Sequence, residues 1–174
     1  MRLLQGHEFE QLFRNFERSA FHLEVNDSYD TPEESEPFRR FLSGEPDDYA
    51  WHLPWLELVS EATKSGRTIE RVRIVSVPHV NYTRWGLTVA ALNIEAGEDI
   101  RWLPRPLLNG AAIPADDFWL FDRDRVVFTL FTPDGAFSGG AETQDPMILE
   151  SCVRVRNDLW ARAIPHADYA LGDR

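Results

Sequence analysis

The segment PADDFWLFDRDRVV, residues 114–127, is the part of the sequence that decides the fold. Its centre, Phe118 to Phe121, is continuously apolar, which is typical of a strand covered on both faces. We therefore predict a strand at residues 117–122 and a second one at 125–132, joined by a turn. An acid directly after a buried strand is either a catalytic group or a turn residue, so the role of Asp122 depends on its surroundings.

The residues before this segment predict a strand, a helix and another strand. Residues 69–77 are rich in β-branched side chains, which favour a strand. Residues 82–96 follow a helical period and end at Gly97, and residues 99–103 form a strand that ends before two prolines. The helical stripe consists of Trp85, Val89, Leu92 and Ala96. This order indicates a right-handed parallel crossover.

The N-terminal portion is predicted to contain three helices and one short strand. An amphipathic helix comes first, and residues 20–25 alternate as a strand does. A second helix begins at Ser35 and ends at Gly44, and a third covers residues 51–65 and stops at Gly66. The side chains expected to face inward are Phe9, Leu12, Phe13, Phe16, Phe38, Phe41, Leu42, Trp55, Val59 and Ala62.

The C-terminal helix has the clearest predicted start. Asp145 is its N-cap, Pro146 occupies its first position, and Pro165 ends it. Before it, PDG at residues 133–135 signals a turn, and residues 136–143 are expected to form an edge strand. The buried stripe of this helix consists of Ile148, Cys152, Val155 and Leu159.

These elements predict a single domain, residues 1–174, of the α/β class, with α+β as the alternative. A helical N-terminal portion, residues 1–66, should pack on a mixed sheet core, residues 67–174, which the C-terminal helix closes. A hydrophobic content of 43% is ample for one core.

Charge and composition exclude several classes of function. The net charge is −11, from 29 acidic against 18 basic residues, so direct binding to nucleic acid is not expected. No apolar run approaches the roughly 20 residues of a membrane span, and no secretion signal is visible. A single cysteine, Cys152, favours a cytoplasmic location. No nucleotide-binding or zinc motif is present, so neither a cofactor nor a metal is expected.

The segment around Asp122 resembles the phospholipase D-like superfamily. In that superfamily a strand, a helix ending in glycine and a second strand precede a strand with the pattern His-x-Lys-x-x-x-x-Asp. Asp122 matches the Asp position, but Ala115 stands at the His position and Asp117 at the Lys position. Ala115 cannot attack phosphorus and Asp117 would repel a phosphate. The resemblance therefore implies a phospholipase D-like core without its catalytic residues, with Asp122 bonding nearby amides to open its own turn.

Further landmarks resemble a narrower family over nearly the whole chain. They are FRRFLSGEPDD, PWLELV, RVRIVS, AGEDIRWLPR, DFWLFD and the C-terminal pattern Trp160, Ala163, Pro165 and Tyr169. They are similar to an actinobacterial family described as a domain of unknown function, family 6879, whose members are often encoded beside helix-turn-helix regulators. The resemblance implies a regulatory role with such a regulator as partner.

Arginines recur along the predicted sheet and suggest a site for a small anion. They alternate along one strand and bracket the next, and guanidinium forks suit carboxylate or phosphate ligands. Neighbouring aromatic residues would add a stacking face. The predicted ligand-binding residues are Arg71, Arg73, Tyr82, Arg84, Trp85, Arg101 and Arg105. The alternative is surface ion pairing with acids such as Glu95, Glu98 and Asp99.

The favoured hypothesis is a non-catalytic regulatory or ligand-sensing protein that acts with a DNA-binding regulator. One alternative is an enzyme of the hydrolase or phosphodiesterase type with an unrecognised active site. The other is a pure protein-interaction module. Proteins of the phospholipase D-like fold often pair their halves, which suggests a homodimer by analogy.

Overall fold

A computed structural model describes residues 1–4, 6–132 and 136–172, with side chains up to residue 170. The turn predicted at 133–135 lies outside these residues. The strands are β1 Arg2–Leu4, β2 Ser19–Glu24, β3 Thr68–Val75, β4 Asp99–Pro104, β5 Phe118–Phe121, β6 Arg125–Phe131, β7 Phe137–Thr143 and β8 Ile164–Pro165. The α-helices are α1 His7–Asn15, α2 Pro32–Ser43, α3 Leu53–Lys64, α4 Asn81–Ala96, α5 Pro146–Arg162 and α6 His166–Gly172. Short 3-10 helices lie at Ala50–His52 and Arg105–Leu108.

One mixed sheet joins the described strands in the order β1-β7-β6-β5-β2-β3-β4-β8. The neighbours β2, β3 and β4 are parallel, and the remaining pairs are antiparallel. The predicted α/β class is confirmed, as is the β3–α4–β4 unit with adjacent parallel strands. Because β2 lies in the middle of the sheet, the N-terminal and C-terminal portions share one sheet.

Helices cover the sheet on both faces, which explains the continuous apolar run at β5. On the first face, α1 and α3 pack over Trp119 and Phe121. On the second face, Cys152 and Leu159 of α5 pack against a cluster that includes Phe118 and Leu120. All four residues of β5 are buried, as predicted.

Helix α2 departs from its predicted start. It begins at Pro32 rather than at Ser35, and Pro37 lies inside it. The reason is that proline is favoured in the first helical turn, where its missing N–H costs nothing, and Pro32 occupies that position.

Two side chains of α2 and one strand also differ from expectation. Phe41 and Leu42 are 37% and 53% exposed, because α2 packs through Phe38 against the aromatic rings of α4. The predicted edge strand β7 is not an edge, because β1 pairs with its outer side. Among the described helices, none combines the length and the apolar character that a membrane crossing requires.

Candidate functional site

Four adjacent strands carry a row of polar side chains on the first face of the sheet. The row consists of Thr129 on β6, Asp117 beside β5, Glu24 on β2 and Arg73 on β3. Glu24 is the register partner of Arg73, and the Thr129 amide donates to the Asp117 carbonyl at 2.9 Å. Since side chains alternate between the two faces along each strand, the sequence neighbours of these four residues point to the opposite face, into the core under α5. A polar row thus runs through the middle of a sheet that helices cover.

A second row runs parallel to the first. His22 on β2 is the register partner of Arg71 on β3 and of Trp119 on β5. The imidazole lies flat on the Trp119 indole, with ring centroids 4.0 Å apart and an interplanar angle of 11°. This stacking holds the histidine ring against the sheet.

A cavity of about 200 Å³ lies over the two rows. Phe9 of α1, Glu34 of α2, Tyr82 of α4 and Tyr29 from the segment after β2 complete its walls. Pockets for drug-sized ligands measure roughly 300–1,000 Å³. A cavity of about 150 Å³ can hold benzene, so this cavity suits a molecule with about one small ring and a polar group, smaller than a typical drug.

The two arginines of the cavity are held by buried carboxylates. Glu24 forms ion pairs with both Arg71 and Arg73. Arg71 also donates from Nε to Glu98 Oε1 at 2.7 Å, and Glu98 is only 2% exposed. The side-chain amide of Asn93 donates from Nδ2 to Oε2 of Glu98 at 2.8 Å. Both guanidinium charges are thus balanced before any ligand arrives.

Burial and ion pairing separate the pKa values of the cavity groups. Burial alone would raise the pKa of Glu24, but the guanidiniums of Arg73 and Arg71 outweigh it and lower the pKa to about 2. Burial lowers the pKa of His22 to about 3, although Glu24 opposes the shift. At neutral pH Glu24 is therefore an anion and His22 is a neutral imidazole.

The pKa of Asp117 is shifted in the opposite direction to that of Glu24, because no guanidinium forms an ion pair with Asp117 in the described part of the chain. Burial raises the pKa of Asp117 to about 6, although the Tyr29 hydroxyl and the Val25 amide lower it. The amide of Val25 donates to Oδ1 at 2.8 Å. Asp117 is only 1% exposed, because the chain enters β5 beneath the helices.

Several buried polar atoms in the cavity have unfilled hydrogen-bonding capacity. Within the described ranges, no well-formed hydrogen bond reaches either ring nitrogen of His22, Oδ2 of Asp117 or Oγ1 of Thr129. The Tyr29 hydroxyl lies beside the Asp117 carboxyl and affects its pKa, but its geometry does not satisfy Oδ2. A buried unsatisfied polar group costs about 1–3 kcal/mol. In folded proteins such groups are usually completed by ordered water or by a bound molecule.

A second cavity, of about 260 Å³, lies on the other side of the arginines. It shares Arg71 and Arg73 with the first cavity and is also bordered by His52 and Gly86. A Cβ atom at Gly86 would lie 2.4 Å from Nη1 of Arg73. The glycine therefore lets the Arg73 guanidinium lie directly against α4.

The predicted ligand-binding residues do not all converge. Those that line the first cavity are Arg71, Arg73 and Tyr82. Arg84 is exposed on α4, and Trp85 is buried beneath Trp51, with ring centroids 5.6 Å apart. The alternative of ion pairing was right about two of its acids: Asp99 pairs with Arg101 at 3.5 Å in a partly exposed position, and Glu98 pairs with Arg71, but in the interior.

The other two predicted arginines lie away from the cavity. Arg101 is in register with Val72, so it points to the opposite face from Arg71 and lies 3.8 Å from the centroid of the Trp160 ring. Arg105 follows β4 and donates to the Ser76 hydroxyl at 3.2 Å. The alternation of side chains along a strand explains the separation.

Sequence reasoning missed most of the cavity lining, including the polar residues His22, Glu24, Tyr29, Glu34, Thr129 and, as a buried group, Asp117. One signal was present. His22 and Glu24 alternate in AFHLEV with the same spacing as Arg71 and Arg73 in RVRIV, which is typical of facing polar rows on neighbouring strands. Detecting it required the knowledge that β2 and β3 pair.

Asp122 is a structural residue, but not in the way the sequence suggested. Its carboxylate accepts the backbone amides of Glu17, Arg18 and Ser19 at 2.8, 2.7 and 2.9 Å. Burial opposes ionisation, but these amides outweigh it and lower the pKa of Asp122. The residue therefore fixes the entry into β2, which lies far away in sequence, rather than its own turn.

Fold and site together define an α/β protein with a small polar cavity between a mixed sheet and its covering helices. The family profile described as Domain of unknown function (DUF6879) matches residues 7–171, and the chain belongs to this family. The predicted family is confirmed. No curated protein matches the chain.

Proposed function

We propose that this protein binds a small polar molecule in the cavity over His22, Asp117 and Thr129 and acts as a ligand sensor. The observation that carries the proposal is the unfilled hydrogen-bonding capacity of these buried side chains. Buried polar groups are normally satisfied, and exceptions in a cavity favour a ligand or ordered water.

The regulatory part of the proposal rests on the resemblance to an actinobacterial family encoded beside helix-turn-helix regulators. At a net charge of −11, an effect on transcription would run through such a partner rather than through direct DNA contact. A cytoplasmic location, a homodimer and a phospholipase D-like origin of the core remain predictions of the same kind.

Binding is best tested by comparing the wild-type protein with a cavity-filling variant. Native mass spectrometry of the purified chain would detect a retained molecule, and a thermal-shift screen would cover amines, amino acids, sugars and nucleobases. Thr129→Leu adds volume inside the cavity, whereas Thr88→Leu adds the same volume on the exposed side of α4. We expect at least one compound to stabilise the wild type and Thr88→Leu but not Thr129→Leu. If no compound binds, or if Thr129→Leu responds like the wild type, the proposal fails.

An acid–base hydrolase is the second candidate function. The observation in its favour is the separation between the pKa of Glu24, about 2, and that of Asp117, about 6, since catalytic carboxylate pairs often diverge in this way. Against it, Glu24 is held by two guanidiniums and is a poor nucleophile. We expect no turnover of bis-nitrophenyl phosphate. Turnover that Asp117→Asn abolishes would favour the hydrolase.

A further inference from the structure

The charges around the cavity bear on the kind of ligand that the proposed binding function requires. The sequence suggested an anion because of the arginines. In the structure, however, an anion would have to compete with Glu24 for the N–H groups of Arg71 and Arg73. Arg71 is further occupied by Glu98. The arginines therefore act as fixed partners of buried carboxylates and offer little to an incoming anion.

Carboxylates outnumber guanidiniums around the cavity. Glu24, Glu34 and Asp117 line it together with Arg71 and Arg73, and Glu98 pairs with Arg71 without lining the cavity. Glu34 accepts hydrogen bonds from the hydroxyls of Tyr82 and Thr31, the latter at 2.7 Å. These hydroxyl groups bring no positive charge. The balance of charge in the cavity is thus negative whenever Asp117 is ionised.

Aromatic rings surround the same space. Tyr29 packs against Phe131 with centroids 5.4 Å apart, and Phe9 packs against Phe137 at 5.5 Å. All four residues line the cavity together with Trp119. The faces of aromatic rings carry negative potential and attract organic cations. The aromatic rings and the carboxylates of the cavity therefore both favour a positively charged ligand.

From this arrangement we infer that the cavity selects a small organic cation bearing an N–H group, with Oδ2 of Asp117 as its acceptor. The inference rests on the proposed binding function. Oδ2 is buried and has no well-formed hydrogen bond within the described residues, so a charged N–H would both satisfy it and neutralise it. The aromatic walls would enclose the apolar part of the same molecule.

Three compounds of nearly equal shape test the inference: benzamidine, benzamide and benzoate, which are cationic, neutral and anionic. Binding to the full chain is measured by calorimetry near neutral pH. We expect benzamidine to bind about tenfold or more tighter than benzamide, in line with a charge-assisted hydrogen bond, and benzoate not to bind.

Asp117→Asn isolates the charge, because the asparagine oxygen can still accept the Val25 amide. In this variant benzamidine should bind no tighter than benzamide, and thermal melting checks that the fold persists. Asp116→Asn, an exposed neighbour, is the matched control and should behave like the wild type.

Tighter binding of benzoate, an unchanged preference in Asp117→Asn, or no binding of any of the three would overturn the inference. The proposed binding function can survive a failure of this inference. A neutral or anionic compound that binds the wild type but not Thr129→Leu would leave ligand binding intact while ruling out the cation.

Discussion

Replacing Asp122 should destabilise the fold although the residue lies outside the ligand cavity. Its carboxylate accepts the three consecutive amides that lead into the central strand β2. Its own amide donates to the Ser19 carbonyl at 2.7 Å, and its carbonyl accepts from Arg18 Nη2 at 2.9 Å. Only the side-chain contacts are lost on substitution, so the effect of the carboxylate can be separated from that of the turn.

The size of the effect follows from solvent access and backbone conformation. A hydrogen bond to a charged group contributes about 1.5–3 kcal/mol when buried. Two of the three bonds are exposed and one is half-buried, so water replaces part of the loss, and we expect about 2–4 kcal/mol for Asp122→Gly. Asp122 has a φ of 53°, so Asp122→Ala should lose about 1 kcal/mol more. Asp122→Asn keeps one acceptor and tolerates this conformation, so it should lose about 1–2 kcal/mol.

Urea denaturation monitored by tryptophan fluorescence would measure these differences. Asp124→Ala, an exposed acid in the same hairpin, is the matched control and should change stability by no more than about 0.5 kcal/mol. The reasoning is refuted if Asp122→Gly is as stable as the wild type, or if alanine is better tolerated than glycine.

Acid pH provides an independent check on the same residue. The pKa of Asp122 lies below its ordinary value of 3.8 in the folded protein. The carboxylate therefore stabilises the fold above that value, and the contribution disappears as the pH falls through the lowered pKa. The stability difference between the wild type and Asp122→Asn should shrink over that acid range.

Three further predictions concern the cavity and its supports. Glu98→Gln leaves a buried guanidinium partly uncompensated and should cost about 3–5 kcal/mol in urea denaturation, whereas the exposed Glu95→Gln should be nearly neutral. Gly86→Ala forces Arg73 to move but gains about 1 kcal/mol of helix propensity, so calorimetry should show altered benzamidine affinity with little change in stability. Benzamidine affinity should fall as the pH drops through about 6, because Asp117 becomes protonated there and loses its negative charge. The pKa values of the neighbouring Glu24 and His22 are about 2 and about 3, so these groups do not change charge in that range. A flat pH profile in the wild type would contradict this.

The elements with strong local signals were predictable from the sequence. Helix α4 was recognisable from its helical period and the glycine at its end, although of its predicted stripe only Trp85 is buried. Helix α5 begins with an N-cap aspartate whose carboxylate accepts the amides of Met147 and Ile148. Strand β5 was recognisable from its apolar run. Strands β1 and β8 have only three and two residues, so no periodicity could reveal them. Their pairing with β7 and β4 depends on the rest of the sheet.

The site was predictable only in part, because strand pairing across long sequence separations creates it. The polarity of Arg71 and Arg73 within a strand was visible. Their partner Glu24 is remote in sequence, and its position became informative only once β2 was placed between β3 and β5. The same placement makes Asp117, which was predicted at the start of a strand, a buried carboxylate in the same cavity as Glu24. Local patterns do not predict such pairings, since the residues of one strand do not identify the strands that pair with it.

The polar row across the first face is itself an argument for function. An apolar residue at Thr129 would remove a buried hydroxyl that has no partner in the described chain, and an asparagine at Asp117 could still accept the Val25 amide without placing a charge in the interior. The sheet instead keeps a carboxylate whose pKa burial raises to about 6 and a buried hydroxyl without a partner in the described chain. Ion pairing explains why Arg71 and Glu24 are compatible with the core, but it does not explain Asp117. Among the described residues, the buried side-chain atoms without a hydrogen-bond partner belong to residues that line this cavity, except for Nε of Arg101, and this distribution supports our proposal that the cavity binds a ligand.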